Sequence, residues 1–227
     1  MLHYFIKAIA SLVLNLPGTK LKNILRNFFY GEVISERIVE YAICFTNLEK
    51  KPSNKVRILD IGCYYSNFPI QLASMGYSVT GVDMMKYELT HPNFQFVRGD
   101  INSLNFKQKK YDIITCISTL EHIGLGVYGD RLGQEGDSKA LSVMYKLLKP
   151  DGIILVTVPF GKKGKTDWYR SYDWVSLAKV FKNLRILNTL FYKERAGKWI
   201  PIQQNQAAKI NNQKRARGIV FIKAKKG

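Results

Sequence analysis

Polar side chains follow the ends of four apolar runs in the 227-residue chain. Each run has the length and apolar content of a buried strand. The polar residues that follow these runs are, in order, Asp60 with Gly62, Asp83, Asp100, and Ser118 with Glu121 and His122. Carboxylates at such positions can bind ribose hydroxyls, and an imidazole can take up a proton near neutral pH. If the strands are parallel, these groups meet at one edge of a sheet and predict a binding site there.

The elements that would position these residues alternate along the chain. Strands are predicted at 56–61, 78–83, 94–99, 111–118 and 153–160, and helices at 67–75 and 138–149. The order strand, helix, strand predicts an open, mostly parallel sheet with helices on both faces. After a further helix at 173–182, the runs 185–193 and 218–224 have only a turn or two of helix between them, at 203–210. These two runs predict an antiparallel edge.

Charge and cysteine content narrow the class of protein. The net charge is +18, and residues 161–227 contain 17 Lys or Arg against 3 Asp or Glu, so 17 − 3 = +14 lies there. Such a surface favours anionic partners, namely nucleic acid, anionic lipid or phosphorylated substrates, although a solvated basic face has the same composition. The widely spaced cysteines Cys44, Cys63 and Cys116 indicate reduced residues in a cytoplasmic protein.

Five segments between Val56 and Phe160 carry a family resemblance: DIGC, GVD, GD, YDIITCISTLEHIG and LKPDGIILVTVPF. In this combination the chain resembles the class I S-adenosylmethionine-dependent methyltransferases. The resemblance implies an α/β, Rossmann-like, doubly wound fold. Its mostly parallel seven-stranded sheet would have an antiparallel C-terminal edge strand, and helices would precede it. S-Adenosylmethionine is the implied cofactor, with S-adenosylhomocysteine as product and no metal.

The resemblance also implies a role for each residue at the strand ends. Gly62 would let the backbone approach the methionyl part of the cofactor, and Asp60 would lie near its amino group. Asp83 would bind both ribose hydroxyls. The other positions would contact the adenine or form the floor near the sulfonium: Met84, Asp100 and Ile101 at the adenine, and Ser118 and Leu120 at the floor.

The loop after the first strand departs from the family pattern. That pattern reads Asp-x-Gly-x-Gly-x-Gly, and here Tyr64 and Ser66 replace the last two glycines. A dehydrogenase of the same general fold would need a fuller glycine loop to hold a pyrophosphate, whereas S-adenosylmethionine carries no phosphate. Tyr64, still a cofactor-binding position, would adopt a non-ideal φ if left-handed. We expect either a rearranged loop, with Tyr64 turned outward or onto the substrate, or a weaker cofactor affinity.

His122 and Glu121 are the candidate catalytic residues. Methyl transfer is an in-line displacement in which orientation of the reactants matters, and a hydroxyl acceptor must also lose its proton. His122 is the natural base for that proton, and Glu121 would orient it or bind substrate. The alternative is that Glu121 and His122 stabilise the fold or contact the cofactor and take no part in proton transfer.

Two segments are candidates for acceptor binding. Tyr128 and Asp130 lie in the glycine-rich stretch GVYGD, and Trp168 and Arg170 lie in GKKGKTDWYRSYD, where basic and aromatic residues alternate. Such residues can stack on and neutralise a nucleotide, a nucleotide sugar or a lipid-linked phosphate. We therefore expect O-methylation of a small molecule, a glycan or a lipid-linked sugar, with an anionic acceptor favoured.

Two other functions stay open. An RNA methyltransferase would use the basic C-terminal surface. Base methylation is disfavoured, because Ser118-Thr119-Leu120-Glu121 stands where amino-methylating enzymes have Asn/Asp-Pro-Pro-Tyr/Phe, and no Pro-Cys nucleophile occurs. A catalytically inactive relative, acting as a binding or membrane-surface protein, is the other alternative.

The N-terminal part predicts two or three helices before the methyltransferase domain, which would cover or dock the active site. Residues 1–50 are predicted as a helical cap or docking segment, and residues 51–227 as the methyltransferase domain. The helix at 2–16 is too short to span a bilayer, and the one at 20–29 is basic and amphipathic. The latter would pack on the domain, bind a partner, or contact a membrane through residues 1–30. The expected location is cytoplasmic, with association at the inner membrane face as a variant.

Overall fold

The computed structural model describes residues 35–106, 110–133 and 135–226. The two predicted helices before residue 35 lie outside the described residues, and the domain boundary at residue 50 stays a prediction. The strands are β1 (Arg57–Ile61), β2 (Ser78–Asp83), β3 (Phe94–Arg98), β4 (Tyr111–Ile117), β5 (Leu148–Pro159), β6 (Gly164–Lys165), β7 (Arg170–Ser171), β8 (Leu184–Arg195), β9 (Lys198–Ile202) and β10 (Gly218–Lys226). The helices are α1 (Arg37–Thr46), α2 (Phe68–Ser74), α3 (Gly136–Leu147), α4 (Trp174–Val180) and α5 (Gln204–Ala207).

The first five strands form the parallel half of the sheet. They lie in the order β3-β2-β1-β4-β5, and each neighbouring pair is parallel. Every residue of β4 is buried, which agrees with an apolar run covered on both faces. Because the strands run the same way, the polar groups that follow β1 to β4 lie at one edge, as predicted.

The C-terminal half is antiparallel and has one more strand than predicted. β10 lies between β5 and β8 and is antiparallel to both, and β9 pairs with β8 at the outer edge. The predicted fold class is confirmed, but the main sheet has eight strands and its C-terminal strand is internal. The extra strand comes from the β8–β9 hairpin, whose turn places Ala196 and Gly197 in the left-handed region, with φ of 50° and 74°. β10 is internal because it pairs with β5 on one side and with β8 on the other.

Helices cover both faces of this sheet. On one face, Ile43 and Cys44 of α1 pack with Phe68 and Leu72 of α2 against β1 and β4. On the other face, the apolar side of α3 packs with Leu177 of α4. Helix α1 is therefore built into the core that supports the strand ends.

Asp112 connects three elements at the sheet edge opposite the strand-end residues. Its carboxylate accepts hydrogen bonds from Lys50 Nζ (2.6 Å), Lys149 Nζ (2.8 Å) and the Arg57 backbone N–H (2.9 Å). Burial acts to raise the pKa of Asp112, but these hydrogen bonds lower it from 3.8 to about 2. The ionised form therefore stabilises the fold above the unfolded-state pKa of about 3.9, and this contribution is lost as pH falls through about 2.

Replacing Asp112 by Asn should lower the free energy of unfolding at pH 7 by about 2 kcal/mol, from ~1.4 kcal/mol per pKa unit. The difference between wild type and variant should shrink as pH falls from about 4 towards 2, because the wild-type carboxylate then becomes protonated. Urea unfolding of both proteins at several pH values measures this difference in the free energy of unfolding. The exposed Glu88, which pairs with Lys86, offers a Glu88→Gln control with little expected effect. A difference independent of pH would contradict the assignment.

Candidate active site

A cleft of about 170 Å³ opens where β1, β2 and β4 end, and the residues after β3 form part of its wall. Ten residues that the sequence assigned to the site line it: Gly62, Tyr64, Asp83, Met84, Asp100, Ile101, Ser118, His122, Tyr128 and Asp130. The other five assigned residues, Asp60, Leu120, Glu121, Trp168 and Arg170, are not part of this lining.

Asp83 connects the end of β2 to the loop after β1. Its Oδ2 accepts a hydrogen bond from Tyr64 N–H (2.9 Å), and its Oδ1 accepts one from Met85 N–H (2.8 Å). Burial raises the pKa of Asp83, and these backbone hydrogen bonds oppose that shift. The backbone N–H of Met84 also acts on this carboxylate. A carboxylate has about four acceptor positions on its two oxygens, so Asp83 can still accept a hydrogen bond from a ligand. The arrangement suits a pair of adjacent ribose hydroxyls.

The loop after β1 is rearranged around its missing glycines. The left-handed residue is Tyr65 (φ 59°) and not Tyr64, and the Tyr64 and Tyr65 rings pack together at 4.0 Å between centroids. Ser66 is buried, and its hydroxyl forms hydrogen bonds with Tyr41 Oη (2.7 Å) and with Phe68 N–H (3.1 Å). Ser66 thus anchors the start of α2. This geometry agrees with the rearranged loop, and the effect of Tyr64 and Ser66 on cofactor affinity stays a prediction.

Gly62 has a positive φ of 82°, and a Cβ built there would lie 2.0 Å from Thr119 Oγ1. Gly62→Ala should therefore lower the free energy of unfolding by about 3 kcal/mol, since backbone strain of about 1–2 kcal/mol adds to overpacking of about 1–3 kcal/mol. Gly76 also has a positive φ, of 102°, but open space around it. Gly76→Ala should lower the free energy of unfolding only by the backbone strain, about 1–2 kcal/mol. Urea unfolding compares the two variants, and equal losses would contradict the close packing of Gly62 on Thr119.

Asp60 and Leu120 lie beneath the cleft. Leu120 is fully buried in the core. The carboxyl group of Asp60 is also buried, and its Oδ1 accepts a hydrogen bond from Thr115 Oγ1 (2.5 Å). Burial raises the pKa of Asp60 to about 7, with the Thr115 hydrogen bond and the charge of Arg37 opposing the shift. The family resemblance placed both residues at the cofactor, but Asp60, in β1, and Leu120, in the turn after β4, have buried side chains that do not line the cleft.

His122 lines the cleft with a defined tautomer. Its Nδ1 lies 2.6 Å from the backbone carbonyl oxygen of Trp168. A carbonyl only accepts hydrogen bonds, so Nδ1 carries the proton and Nε2 of the neutral ring has the free lone pair. Burial lowers the pKa of His122 from 6.5, although the Trp168 hydrogen bond acts to raise it. At pH 7 the imidazole is therefore neutral and able to accept a proton at Nε2.

Three aromatic side chains surround His122, and we call them the aromatic rim: Tyr128, Trp168 and Tyr169. Their ring centroids lie 5.7, 5.9 and 6.4 Å from the imidazole centroid, and all three meet it edge-on. Trp168 is 54% exposed, and its ring lies 5.5 Å from that of Tyr128, which lines the cleft. The predicted site residues included Trp168 as a side chain, but not its carbonyl group or Tyr169.

Glu121 and Arg170 support the turn that carries His122. Glu121 is 2% exposed, burial raises its pKa well above the ordinary value, and its Oε1 lies 3.9 Å from His122 Nε2. The Arg170 backbone N–H donates to Glu121 O (3.1 Å) and its Nη1 donates to Ile123 O (2.7 Å). The structure thus gives Arg170 a structural contact in this turn. Its guanidinium does not line the cleft with His122.

Asp130 and Arg37 complete the cleft wall. Asp130 Oδ2 accepts a hydrogen bond from Gly124 N–H (2.5 Å), while its buried Oδ1 has no hydrogen-bond partner among the described residues. Arg37, from α1, donates to the carbonyl oxygen of Ile117 (2.8 Å). Sequence reasoning missed Arg37, because its contact is with a strand 80 residues away. The one local signal was the pairing of Arg37 with Glu40, three residues later on a largely apolar helix.

Within residues 35–106, 110–133 and 135–226, no group of three or more His, Cys, Asp or Glu side chains could hold a metal ion. No helix among these residues is long and apolar enough to cross a membrane. The three cysteines are buried and unpaired.

A family model described as a methyltransferase domain matches residues 2–197. The chain belongs to this family. The match extends beyond the resemblance seen in the sequence, which covered residues 56–160. It also agrees with the cleft, in which the groups that follow β1 to β4 form one site. S-Adenosylmethionine fits the groups of this methyltransferase cleft: the Asp83 carboxylate can accept a hydrogen bond from a ribose hydroxyl, and Met84 and Ile101 supply apolar wall.

A curated relative and two solved structures are similar to this methyltransferase. The ubiquinone biosynthesis O-methyltransferase of Rickettsia typhi is 25% identical over 128 residues, which cover 52% of this chain and 47% of the relative. The matches to three further relatives of the same name cover 40%, 35% and 49% of the length of those relatives. The chain therefore spans about half the length, or less, of the curated relatives it matches.

Among the solved structures, the 1,6-didemethyltoxoflavin-N1-methyltransferase of Burkholderia thailandensis contains S-adenosylhomocysteine. It has a TM-score of 0.56 and 17% identity, over 93% of this chain and 92% of that one. The [4+2]-cyclase SpnF has a TM-score of 0.60 and 16% identity, over 82% and 79% of the two chains. At these identities the likeness shows the fold, and because one neighbour is a cyclase, the fold alone does not assign a reaction.

Proposed function

We propose that this protein transfers the methyl group of S-adenosylmethionine to a hydroxyl oxygen of a small molecule that carries a ring, with glycans and lipid-linked sugars among the candidate acceptors. The observation that carries the proposal is the tautomer of His122. The Trp168 carbonyl holds the proton on Nδ1, which leaves the lone pair of Nε2 available, and the His122 side chain lines the cleft. A hydroxyl acceptor needs such a base.

Asp83 and His122 would have separate roles in this reaction. When bound, S-adenosylmethionine supplies an electrophilic methyl group on a sulfonium. Asp83 would hold the ribose hydroxyls, which fixes the position of the donor. His122 Nε2 would accept the hydroxyl proton, and the resulting imidazolium would keep its Nδ1 hydrogen bond to Trp168 O. Positioning and proton removal are then both provided by the protein.

The aromatic rim supports an acceptor with a ring. Aromatic side chains bind ring faces and edges through apolar contact and through their quadrupoles. Trp168 and Tyr128, 5.5 Å apart between centroids, would cover such a ring and exclude water from the reacting hydroxyl. The names of the Rickettsia relatives, which are O-methyltransferases, support oxygen as the methylated atom. We further propose a cytoplasmic location, which the buried, unpaired cysteines support.

Formation of S-adenosylhomocysteine in the presence of an acceptor panel tests the proposal. The panel should contain phenols, monosaccharides, nucleotide sugars and unmodified RNA, each assayed with wild type and with His122→Gln. Turnover of a hydroxyl compound by wild type, with its amine isostere inactive, is the expected result. Methyl incorporation into RNA alone would replace the proposal with the RNA alternative. A wild type that binds S-adenosylhomocysteine but turns over no acceptor in the panel would argue against this acceptor class.

A further inference from the structure

Asn212 is a buried polar side chain that the proposed reaction does not use. It is 1% exposed and is not among the described residues that line the cleft. Its Nδ2 donates hydrogen bonds to Phe160 O (3.0 Å) and Ser171 Oγ (2.9 Å). Its Oδ1 accepts hydrogen bonds from the N–H groups of Arg217 (2.8 Å) and Gly218 (3.1 Å). An amide side chain has two donor hydrogens and two acceptor lone pairs, so all four positions are in use and the side chain connects segments of the chain.

These hydrogen bonds fix the β6–β7 hairpin to the main sheet. Phe160 follows β5, Gly218 begins β10, and Ser171 is the last residue of β7. The junction is closely packed, because a Cβ added at Gly161 would lie 2.2 Å from Ile210 O. One end of the hairpin is therefore held against the segment that precedes β10.

The other end of the hairpin contacts the turn that carries His122. Trp168 lies between β6 and β7, and its carbonyl oxygen is 2.6 Å from His122 Nδ1. On β7, Arg170 N–H donates to Glu121 O (3.1 Å), and Arg170 Nη1 donates to Ile123 O (2.7 Å). The hairpin thus contacts three consecutive residues of the turn, and the position of the Trp168 carbonyl depends on how the hairpin is held.

Tyr169 connects Asn212 to the Trp168 carbonyl group. The Tyr169 hydroxyl donates a hydrogen bond to the backbone carbonyl oxygen of Asn212. The Trp168 carbonyl belongs to the planar peptide unit that joins Trp168 to Tyr169, so it moves with the Tyr169 backbone. Asn212 therefore holds the hairpin at two places, at Tyr169 through its backbone and at Ser171 through its side chain.

We infer that Asn212 is a positioning residue for the catalytic base: it anchors the β6–β7 hairpin so that the Trp168 carbonyl keeps the proton of His122 on Nδ1. This inference rests on the proposed function, because it takes His122 as the base. Without the anchor, the carbonyl no longer confines the proton to Nδ1. The tautomer with its proton on Nε2 has no lone pair there and cannot accept a proton from the hydroxyl group.

The tautomer of His122 can be measured without an acceptor. Nuclear magnetic resonance spectra of protein labelled with ¹⁵N-histidine distinguish the two neutral tautomers, and His122→Gln identifies the signals of His122 among the three histidines. Well above pH 6.5 the ring is neutral, because burial lowers the pKa of His122. We expect the wild type to be protonated on Nδ1. In Asn212→Ala, the ratio of the Nδ1- to the Nε2-protonated form should fall by about 3- to 10-fold, the contribution of one hydrogen bond.

Three further measurements separate positioning from a general structural role. Tyr169→Phe removes only the hydroxyl bonded to Asn212 O, so it should lower the same ratio even if Asn212→Ala does not fold. Asn188→Ala, at an exposed position on β8, should leave the ratio unchanged. The dissociation constant of S-adenosylhomocysteine should stay within about twofold in Asn212→Ala, because the cofactor residues do not contact the hairpin anchor.

The possible results distinguish this inference from the proposed function. An unchanged tautomer ratio in folded Asn212→Ala and Tyr169→Phe would overturn the inference and leave the proposed function in place. A tautomer shift accompanied by a large loss of affinity for S-adenosylhomocysteine would make Asn212 a general structural residue and also overturn the inference. A wild type with the His122 proton on Nε2 would overturn both.

Discussion

Replacing His122 by Gln should lower kcat for methyl transfer by about 10²- to 10⁴-fold, the usual contribution of a general base. The dissociation constant of S-adenosylhomocysteine should stay within about threefold, because the imidazole is assigned to the acceptor and not to the cofactor. Glutamine has a similar reach and can hydrogen-bond to the Trp168 carbonyl, but it cannot take up a proton near neutral pH. Steady-state kinetics with an acceptor found in the panel measures this effect.

The pH dependence provides a second readout for the same residue. The base must be neutral to work, so kcat/KM of the wild type should rise with pH through the pKa of His122 and then level off. Burial lowers that pKa from 6.5, which places the rising limb below pH 6.5 and the plateau at neutral pH. His122→Gln should remove the limb. The control His91→Gln, in the loop before β3, should keep both the limb and kcat, and a limb that survives in His122→Gln would exclude His122 as the base.

Replacing Asp83 by Ala should raise the dissociation constant of S-adenosylhomocysteine by about 10²- to 10⁴-fold. Two hydrogen bonds from ribose hydroxyls to a half-buried carboxylate would be lost, and charge-assisted hydrogen bonds contribute about 1.5–3 kcal/mol each. The backbone N–H groups of Tyr64 and Met85 would lose their acceptor as well. The loop after β1 would then be less well fixed.

The Asn variant separates these two effects. Asp83→Asn keeps one acceptor oxygen, so its affinity should lie between those of wild type and Asp83→Ala. Glu88→Gln, five residues further along, removes an exposed carboxylate and should not change the affinity. Calorimetric titration measures all four proteins. An Asp83→Ala variant that folds and still binds S-adenosylhomocysteine with wild-type affinity would remove Asp83 from the cofactor site.

The parallel half of the sheet could be predicted because its signals are local. An apolar run without polar alternation, such as 111–118, must be covered on both faces, and this is how β4 lies. The edge strand β9 gave no such signal. Its residues are exposed or half-buried, and it contains Pro201, which disfavours a strand assignment from sequence. Its position depends on the pairing with β8, and only the folded chain provides that partner.

The site could be predicted as far as strand order determines it. Asp83 and Asp100 follow from the parallel topology, because each comes at the end of a strand at the same edge. The contacts that define the chemistry depend on tertiary structure instead. The Trp168 carbonyl reaches His122 across 46 residues, and Arg37 reaches Ile117 across 80 residues. No sequence spacing indicates such pairs.

The missing glycines illustrate the same limit. The family pattern predicted an unfavourable backbone conformation at Tyr64. The left-handed residue is Tyr65 instead, and the Ser66 hydroxyl accepts a hydrogen bond from the first residue of α2. The Ser66 carbonyl also accepts a hydrogen bond from Tyr87 Oη (2.6 Å), a contact 21 residues away. The conformation of this loop therefore depends on hydrogen bonds to tyrosines outside the loop, which the loop sequence does not indicate.

A structure of the protein with bound S-adenosylhomocysteine tests the central claim most directly. The account predicts the ribose on Asp83, the adenine beside Met84 and Ile101, and the sulfur facing the side of the cleft that carries His122 and the aromatic rim. S-Adenosylhomocysteine bound elsewhere on the protein would contradict the account. So would an empty cleft in crystals of the folded protein grown with a large excess of the ligand.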